Sequence, residues 1–245
     1  MPYEPSHVRY INLKYREDRN EIFLKRNSGN LSLERIDAVV GKDLSVSDLI
    51  RDKLIHEPLQ SYSPGALGCA ISHKKLWDLA VKQGTPVTVA EDDAIFNRHF
   101  CQKASDLLKR LPESWDIILW GWNFDSFFHV EVISKLKQGV MTFDHTALGQ
   151  RASDFQNVEF NSLLFRLVGA FGTVCYSLST KGANRLSELC FPLKNEVVNI
   201  PGLGKEIPNI GIDTVLNKHY PAVQAFACFP PLVWSDNDKT RSDVG

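Results

Sequence analysis

Short apolar runs alternate with amphipathic stretches along most of this chain. The run VRYINL predicts a strand, and the charged segment after it places apolar side chains at helical spacing. The run LERIDAVV predicts a second strand, with Asp43 or Ser45 capping a helix that ends near Leu54. Repeated alternation of strands and helices predicts a largely parallel sheet flanked by helices.

The longest predicted helix begins at Ser63-Pro64 and ends at Gly84, with apolar residues at a 3.6-residue period between them. The run from Val87 to Ala90 predicts a buried strand that leads directly into Glu91-Asp92-Asp93. Open parallel sheets bind their ligands beyond the carboxyl ends of their strands. We therefore expect the three acids to lie at a binding site.

The rest of the chain continues the same alternation without a repeat or a linker. Its predicted elements are a helix from Phe100 to Leu111, a strand in DIILWGW, loops and short strands from Asn123 to Asp154, a strand in AFGTVCYSLS, and helices from Thr180 to Leu189 and from Ile212 to Lys218. The pattern predicts a single α/β domain over residues 1–245.

Composition and charge exclude several classes of protein. The 245 residues are 43% hydrophobic and 23% charged, as in ordinary globular proteins. A formal net charge of -1 creates no field that would attract nucleic acid, so we expect no nucleic-acid partner. The five cysteines contain no CxxC pair, which predicts reduced and mostly buried thiols rather than a disulfide framework or a zinc site.

The first residues of the chain and the length of its apolar runs are used to predict the cellular compartment of the protein. MPYEPSHVRY carries Glu4 where a secretory signal has an apolar stretch, which predicts a cytoplasmic protein. The longest apolar stretch, from Leu167 to Leu178, contains Thr173 and Ser177 and is too short for a membrane-spanning helix.

Three adjacent acids at the end of a strand are electrostatically unfavourable. Like charges a few ångströms apart raise one another's pKa unless a cation neutralises them. Carboxylate oxygens suit Mn²⁺ or Mg²⁺, and Mg²⁺ is often held together with substrate phosphates. In an extended chain Glu91 and Asp93 point the same way, so we expect these two to share the ion while Asp92 faces elsewhere. A solvated acidic loop is the alternative.

Three blocks of sequence carry a family likeness. They are INLKYREDR, then PGALGCAISHKKLW leading to VTVAEDDAIF, and finally GTVCYSLSTKGANRL followed by Asp213 and PPLVWSD. Together they resemble glycosyltransferase family 25, the lipooligosaccharide and collagen galactosyltransferases. The chain differs at GTVCY, where many relatives are closer to GTHAY, so a role for a histidine there cannot be carried over to Val174.

The resemblance implies a GT-A type nucleotide-sugar-binding fold, an acid motif of the DxD kind, an inverting reaction and a UDP-sugar donor. We expect residues 1–122 to bind the donor and the metal, and residues 123–245 to bind the acceptor. In such a fold the loop after the first strand meets the nucleotide, which makes Asn12, Arg16 and Arg19 candidate donor-binding residues. Solvated charges at the start of the helix are the alternative for Arg16 and Arg19. Asp92 is assigned to the donor as well.

Four residues of the longest predicted helix are further donor candidates. Gly65 and Gly68 let backbone approach a ligand, and the helix start offers free N–H groups to a diphosphate. Tight helix packing would also explain both glycines. Ser72 and His73 form a polar pair on an otherwise apolar helix, and we expect them to line the donor site. For His73, a hydrogen-bonded core histidine is the alternative.

Aromatic and histidine side chains complete the predicted site. We expect Trp122 to contact a sugar ring with its indole face, and Trp120 to pack in the core. Other GT-A enzymes often use a late histidine as a metal ligand, which makes His219 a candidate ligand with His145 as its rival.

The candidate catalytic base is Asp213, which matches the late acid of the family pattern. Inversion in one displacement requires a base on the face of the sugar opposite the leaving diphosphate, so a metal-bound acid cannot serve. An N-cap role is the structural alternative for Asp213, because aspartate is favoured at that position. Asp125 is the rival base.

The resemblance implies transfer of a hexose, galactose or glucose, from a UDP-sugar to a terminal saccharide of lipooligosaccharide. The reaction would take place at the cytoplasmic face of a membrane, which leaves peripheral membrane association open. A metal-dependent nucleotide-sugar hydrolase and a non-catalytic sugar-nucleotide-binding module are the alternatives. The intact Glu91-Asp92-Asp93 argues against the non-catalytic module.

Overall fold

The computed structural model describes residues 3–112, 114–143, 151–235 and Asp243. The strands of these residues are β1 (His7–Asn12), β2 (Ser32–Asp37), β3 (Val87–Glu91), β4 (Ala94–Phe96), β5 (Ile117–Gly121), β6 (Phe127–Ile133), β7 (Lys137–Thr142), β8 (Leu163–Ala170), β9 (Cys175–Leu178), β10 (Val197–Ile200), β11 (Lys205–Pro208), β12 (Ala225–Phe229) and β13 (Val233–Ser235). The helices are α1 (Glu17–Arg26), α2 (Val46–Arg51), α3 (Pro64–Gln83), α4 (Phe100–Leu108), α5 (Ala152–Asn157), α6 (Thr180–Cys190) and α7 (Ile212–His219).

Nine of the strands form one mixed sheet in the order β2-β1-β3-β9-β5-β12-β8-β6-β7. Strand β1 pairs in parallel with β2 and β3, and β5 pairs in parallel with β12. Strand β9 lies antiparallel between β3 and β5. The predicted α/β class, with a sheet between helices, is confirmed. Among the described residues, no helix is both long and apolar enough to cross a bilayer.

The run AFGTVCYSLS, predicted as one strand, belongs to two strands. Strand β8 ends at Ala170, β9 begins at Cys175, and residues 171–174 connect them. The two strands lie apart in the sheet, because β8 pairs with β12 and β6 while β9 pairs with β3 and β5. The connecting residues pass the carboxyl end of β3, where the Val174 carbonyl accepts a hydrogen bond from the Glu91 N–H at 3.0 Å.

Apolar side chains cover both faces of the sheet. Val87 and Val89 pack on one face with residues of α3, α6 and α7, whereas Ala90 packs on the other with residues of α1 and α4. The same alternation holds in β5, where Leu119 and Trp120 belong to opposite faces. Burying one large aliphatic side chain stabilises a fold by about 1.5–3 kcal/mol, so the two layers fix the central strands firmly.

Helix α3 has the limits that its sequence predicts. The Ser63 hydroxyl caps its start by accepting a hydrogen bond from the Ala66 N–H at 3.0 Å, and Gly84 ends it in the left-handed conformation with φ 66°. These local signals fix both ends of α3.

Gly68 and Ser72 attach α3 to the loop at residues 39–41. A Cβ atom on Gly68 would lie 2.4 Å from the carbonyl oxygen of Val39. The Ser72 hydroxyl accepts from the Val39 N–H at 2.8 Å and donates to the Gly68 carbonyl at 2.7 Å. The prediction that these two residues contact a donor is therefore wrong, since both are buried and used in backbone packing.

We expect Gly68→Ala to destabilise the protein by about 1–3 kcal/mol, because the added methyl group collides with backbone that cannot rotate away. Urea denaturation measures the change. Lys75→Ala, at an exposed position of the same helix, should stay within about 0.5 kcal/mol of the wild type. A stable Gly68→Ala protein would show that the loop and α3 are not in close contact.

Candidate functional site

The candidate site lies at the carboxyl ends of two adjacent parallel strands. Asn12 is the last residue of β1, and Glu91 is the last residue of β3. The register of this pair places Ile11 opposite Glu91. The position predicted for the three acids is therefore confirmed, and it agrees with the general rule for ligand sites in open sheets.

Glu91 is held by side chains from two distant segments. The Thr173 hydroxyl donates to Glu91 Oε1 at 2.5 Å, and His73 Nε2 lies 3.6 Å from the same oxygen. Burial disfavours the charge of Glu91, but the imidazole and the hydroxyl outweigh burial and hold its pKa below the ordinary value. On the other side of the ring, His73 Nδ1 lies 2.9 Å from the Tyr176 hydroxyl.

Asp92 faces the loop after β1. Asn12 Nδ2 donates to Asp92 Oδ2 at 2.6 Å, and the Arg19 guanidinium forms an ion pair with Asp92 Oδ1. Burial raises the pKa of Asp92 above its ordinary value even though Arg19 opposes that change. Asn12 thus binds Asp92 through a hydrogen bond, and Arg19 places a positive charge beside the acids.

Asp93 is the least compensated of the three acids. The Ser235 hydroxyl donates to Asp93 Oδ2 at 2.6 Å, while Asp93 Oδ1 is buried and has no hydrogen-bond partner among the described residues. Burial, together with the negative charge of Glu91, raises the pKa of Asp93 to about 7. A buried, unpaired carboxylate oxygen beside a second carboxylate is a suitable ligand for a divalent cation.

The chain turns at Asp92 and Asp93, so the alternation expected for an extended strand does not apply there. Each acid consequently faces its own partners, and Glu91 and Asp93 remain close enough for one charge to shift the pKa of the other. Whether they share an ion is still a prediction.

A cleft opens beside the acids, with an open volume of about 730 Å³ including the part exposed to solvent. Its walls combine an apolar side with the polar side chains described above, as is usual for small-molecule sites. The residues that line it are Ile11, Leu13, Tyr15, Arg19, Ala38, Val39, Val40, Gly41, Lys42, Gly65, Cys69, His73, Glu91, Asp92 and Asp243. Gly65, Arg19, His73 and Asp92, which the sequence predicts to contact the donor, are among these residues, and their donor contacts remain predictions.

Asp213 reaches the same site from α7. The Gly172 N–H donates to Asp213 Oδ2 at 3.0 Å, and the next residue, Thr173, holds Glu91. Burial, with a contribution from the charge of Glu91, raises the pKa of Asp213 although the Gly172 N–H opposes the shift. Gly211 is the N-cap of α7, so the alternative N-cap role of Asp213 is wrong.

Two other residues predicted for the site, Arg16 and Asp125, do not line the cleft. Arg16 precedes α1 and pairs with Asp18 at 2.9 Å and with Asp243, and it does not line the cleft. Asp125 is half-buried in the turn between β5 and β6. The ring of the neighbouring Phe124 contacts Trp234, the residue before Ser235, at 6.5 Å between ring centroids. The roles of Arg16 and Asp125 stay predictions.

Residues 6–200 match the sequence profile of glycosyltransferase family 25, described as an LPS biosynthesis protein. This match spans most of the chain. The chain belongs to glycosyltransferase family 25.

Individual relatives agree with this family over shorter regions. A putative glycosyltransferase of Acanthamoeba polyphaga mimivirus is 34% identical over 115 residues, covering 45% of this chain and 36% of the relative. A glycosyltransferase 25 family member of Aedes aegypti is 33% identical over 47% of this chain and 21% of its own length. Procollagen galactosyltransferase 1-A of Xenopus laevis is 34% identical over 45% and 20%, respectively. The matched region is well under half of each relative.

Solved structures give weaker likenesses. The inositol-1-phosphate CTP transferase from T. maritima is similar over 97% of this chain and 94% of that chain, with 13% identity and a TM-score of 0.41. Mouse xyloside xylosyltransferase 1 in its apo form is similar over 76% and 64%, with 10% identity and a TM-score of 0.31. Such weak likenesses carry no conclusion about substrate or mechanism.

Two residues predicted for the site of this family 25 chain, Trp122 and His219, are not among those that line the cleft. Trp122 is fully buried, stacks on Phe128 at 4.5 Å between ring centroids, and donates its indole N–H to the Cys228 carbonyl. No face of its ring can meet a sugar, so it is a core residue, as is Trp120.

The metal-ligand prediction for His219 is also wrong. His219 ends α7, about 9 Å along the helix axis from Asp213 at 1.5 Å per residue. Among the described residues, the His, Cys, Asp and Glu atoms that converge at the site belong to Cys69, His73 and Glu91, and His219 is not with them. The rival His145 lies outside the described residues.

Sequence reasoning missed four residues that contact or surround the acids. They are Cys69, Thr173, Tyr176 and Ser235. Each lies inside a block that resembles the family, which is the signal that could have found them. The half of the chain expected to bind the acceptor thus supplies groups that hold the acids of the other half.

The raised pKa of Asp93 predicts how stability depends on pH in metal-free protein. An acid with a raised pKa stabilises the fold below its ordinary pKa of 3.8, and that contribution is lost as the pH rises through about 7. We expect wild-type protein in EDTA to lose stability between pH 5 and pH 8, and Asp93→Asn to lose less.

Urea denaturation at both pH values measures this difference. Asp78→Asn, at an exposed position of α3, should retain the wild-type pH dependence. Equal loss in Asp93→Asn and the wild type would contradict the unfavourable charge assigned to Asp93.

Proposed function

We propose that this family 25 chain is a metal-dependent hexosyltransferase. It moves galactose or glucose from a UDP-sugar to a terminal saccharide of lipooligosaccharide. The observation that carries the proposal is the group of acids beside the cleft, in which Asp93 Oδ1 is buried without a hydrogen-bond partner among the described residues. The description of the family as LPS biosynthesis proteins and the galactosyltransferases among the relatives support the substrate class.

The acids fit the divalent ion that this activity implies. Glu91 and Asp93 would hold Mn²⁺ or Mg²⁺, because both supply oxygen ligands and because the charge of Arg19 and the Ser235 hydroxyl leave the pKa of Asp93 still raised. When bound, the ion supplies positive charge for the diphosphate that leaves with UDP. Asp92 is engaged by Asn12 and Arg19, which keeps it out of this pair.

The cleft suits the donor. Gly65 in the first turn of α3 lines the cleft, and Arg19 supplies a cation there. His73 at the base of the cleft fixes Glu91 rather than reaching outward, because its ring is buried between Tyr176 and Thr173. A UDP-sugar lying in the cleft would place its diphosphate near the acids.

Asp213 is the proposed base. Its carboxylate takes the proton of the acceptor hydroxyl, whose oxygen bonds to the anomeric carbon while the bond from that carbon to UDP breaks on the opposite face. The raised pKa of Asp213 brings it closer to the operating pH, which favours proton transfer. The hydrogen bond from the Gly172 N–H orients the carboxylate for this task.

The acceptor proposed here is part of a lipid-linked saccharide. Peripheral association with the inner face of the cytoplasmic membrane is therefore part of the proposal. Nucleic acid has no place in it, since the net charge of -1 offers no broad basic surface.

The direct experiment incubates the protein with a panel of UDP-, GDP- and CMP-sugars, a saccharide acceptor and Mn²⁺, and detects elongated saccharide by mass spectrometry. We expect a product with a UDP-hexose and none in excess EDTA. Asp93→Ala should lose about a thousandfold in rate, since opposite charges about 4 Å apart interact by roughly 4 kcal/mol at an effective dielectric near 20.

Asp78→Ala is the exposed control and should keep wild-type activity. Full activity in EDTA would contradict the metal requirement. Release of free sugar without an elongated product would identify a hydrolase instead.

Asp213→Asn should lose about 100- to 10,000-fold in transfer rate and still bind UDP with Mn²⁺. The amide keeps the shape of the carboxylate and can still accept from the Gly172 N–H, so the fold is preserved. Single-turnover transfer and calorimetric UDP binding separate the two effects. Near wild-type transfer by Asp213→Asn, together with a large loss in Asp125→Asn, would assign the base to Asp125.

A further inference from the structure

A thiol, an imidazole and a carboxylate converge at the base of the cleft. Cys69, His73 and Glu91 each offer one ligand atom, and these atoms lie within 4.8 Å of one another. Cys69 and His73 are four residues apart on α3 and therefore share one face of the helix. All three residues line the cleft, where His73 is buried and Cys69 and Glu91 are half-buried.

We propose that Cys69, His73 and Glu91 form a binding site for a thiophilic divalent ion of the Zn²⁺ type. Sulfur, nitrogen and oxygen ligands are the set that Zn²⁺ takes in proteins, and three protein ligands leave a fourth position open toward the cleft. This set differs from the oxygen-only pair of Glu91 and Asp93 by its thiol and its imidazole. The wide spacing of the cysteines in the sequence gives no sign of it, because two of the ligands come from other residue types.

The imidazole is already oriented for this role. The Tyr176 hydroxyl lies 2.9 Å from His73 Nδ1 and also accepts the Trp77 indole N–H at 2.8 Å. With Nδ1 engaged there, Nε2 faces Glu91 at 3.6 Å. Metal-binding histidines characteristically use their second ring nitrogen for such a hydrogen bond, which fixes the tautomer and the ring plane.

The charge around the thiol also favours a cation. Burial, and after it the negative charges of Glu91 and Asp213, raise the pKa of the Cys69 thiol, so a neutral thiol lies among acids until an ion binds. As the sulfur–metal bond forms, the thiol proton is released to water, so the site gains a thiolate as well as the ion. The two charges of the ion then offset both the thiolate and Glu91.

Cobalt spectroscopy tests the site without any donor or acceptor. Full-length protein titrated with Co²⁺ alone should develop a sulfur-to-cobalt charge-transfer band, which Zn²⁺ abolishes and excess Mg²⁺ does not. Cys69→Ser should lose the band, and its Zn²⁺ affinity should fall by more than the roughly tenfold that losing an outer hydrogen-bond partner costs. Cys101→Ser is the matched control, because Cys101 is half-buried in α4 and donates to the Asn30 carbonyl, away from the cleft.

A second measurement needs no variant. Zn²⁺ should slow alkylation of Cys69 in the wild-type protein, followed by peptide mass mapping, and leave alkylation of Cys101 unchanged. A wild-type protein with no charge-transfer band, a band that survives Cys69→Ser, or equal alkylation of Cys69 with and without Zn²⁺ would each overturn the proposal.

One consequence rests on the proposed function. Because Glu91 belongs to both ligand sets, Zn²⁺ should inhibit the transfer that Mn²⁺ supports, and the ratio of rates with and without Zn²⁺ should move toward one in Cys69→Ser. If no transfer is found with any donor, the spectrum and the alkylation still decide whether the ion binds. If transfer is found but Co²⁺ gives no thiolate band, the proposed function stands and the thiol site does not.

Discussion

The hydrogen bond from the Thr173 hydroxyl to Glu91 joins segments 82 residues apart in the sequence. The preceding residue, Gly172, donates its N–H to Asp213, so two adjacent residues hold acids from β3 and α7. This contact exists because β9 pairs antiparallel with β3, with Cys175 opposite Ala90. A one-residue slip of that register would turn the side chains of β9 to the other face and move Thr173 away from Glu91.

Electrostatics explains why the acids must be positioned precisely relative to their partners. Buried carboxylates are unfavourable unless a charge or a hydrogen bond compensates them. Arg19 compensates Asp92, whereas Thr173 and His73 compensate Glu91. The Ser235 hydroxyl and the charge of Arg19 only partly offset the burial of Asp93 and its repulsion by Glu91, so Asp93 is the acid that the proposed cation would stabilise most. The same imbalance that disfavours the metal-free state would thus favour binding of an ion.

Sequence signals that act locally predicted the local structure well. The Ser63 cap and the left-handed Gly84 fix α3 at the expected limits, and the apolar run before Glu91 places the acids at a strand's carboxyl end. These features depend on neighbours within a few residues, which a single sequence displays.

Long-range packing decided the features that the sequence did not predict. Trp122 was expected at a sugar but stacks in an aromatic core that includes Phe128 of β6 and Phe229 of β12. Ser72 was expected at a ligand but holds the loop at residues 39–41 against α3. Thr173 and Ser235 lie far along the chain from the acids that they bind. Their partners depend on strand order and register, which periodicity does not encode.

The most direct measurement of this account is the Mn²⁺ affinity of Thr173→Val in the presence of UDP, followed by the electron paramagnetic resonance of free Mn²⁺. Valine keeps the shape of threonine and removes the hydroxyl that orients Glu91. The account predicts an affinity about 10- to 100-fold weaker than that of the wild type, and an unchanged affinity for Thr142→Val at an exposed position of β7. An unchanged affinity in Thr173→Val would contradict the claim that this segment organises the metal-binding acids.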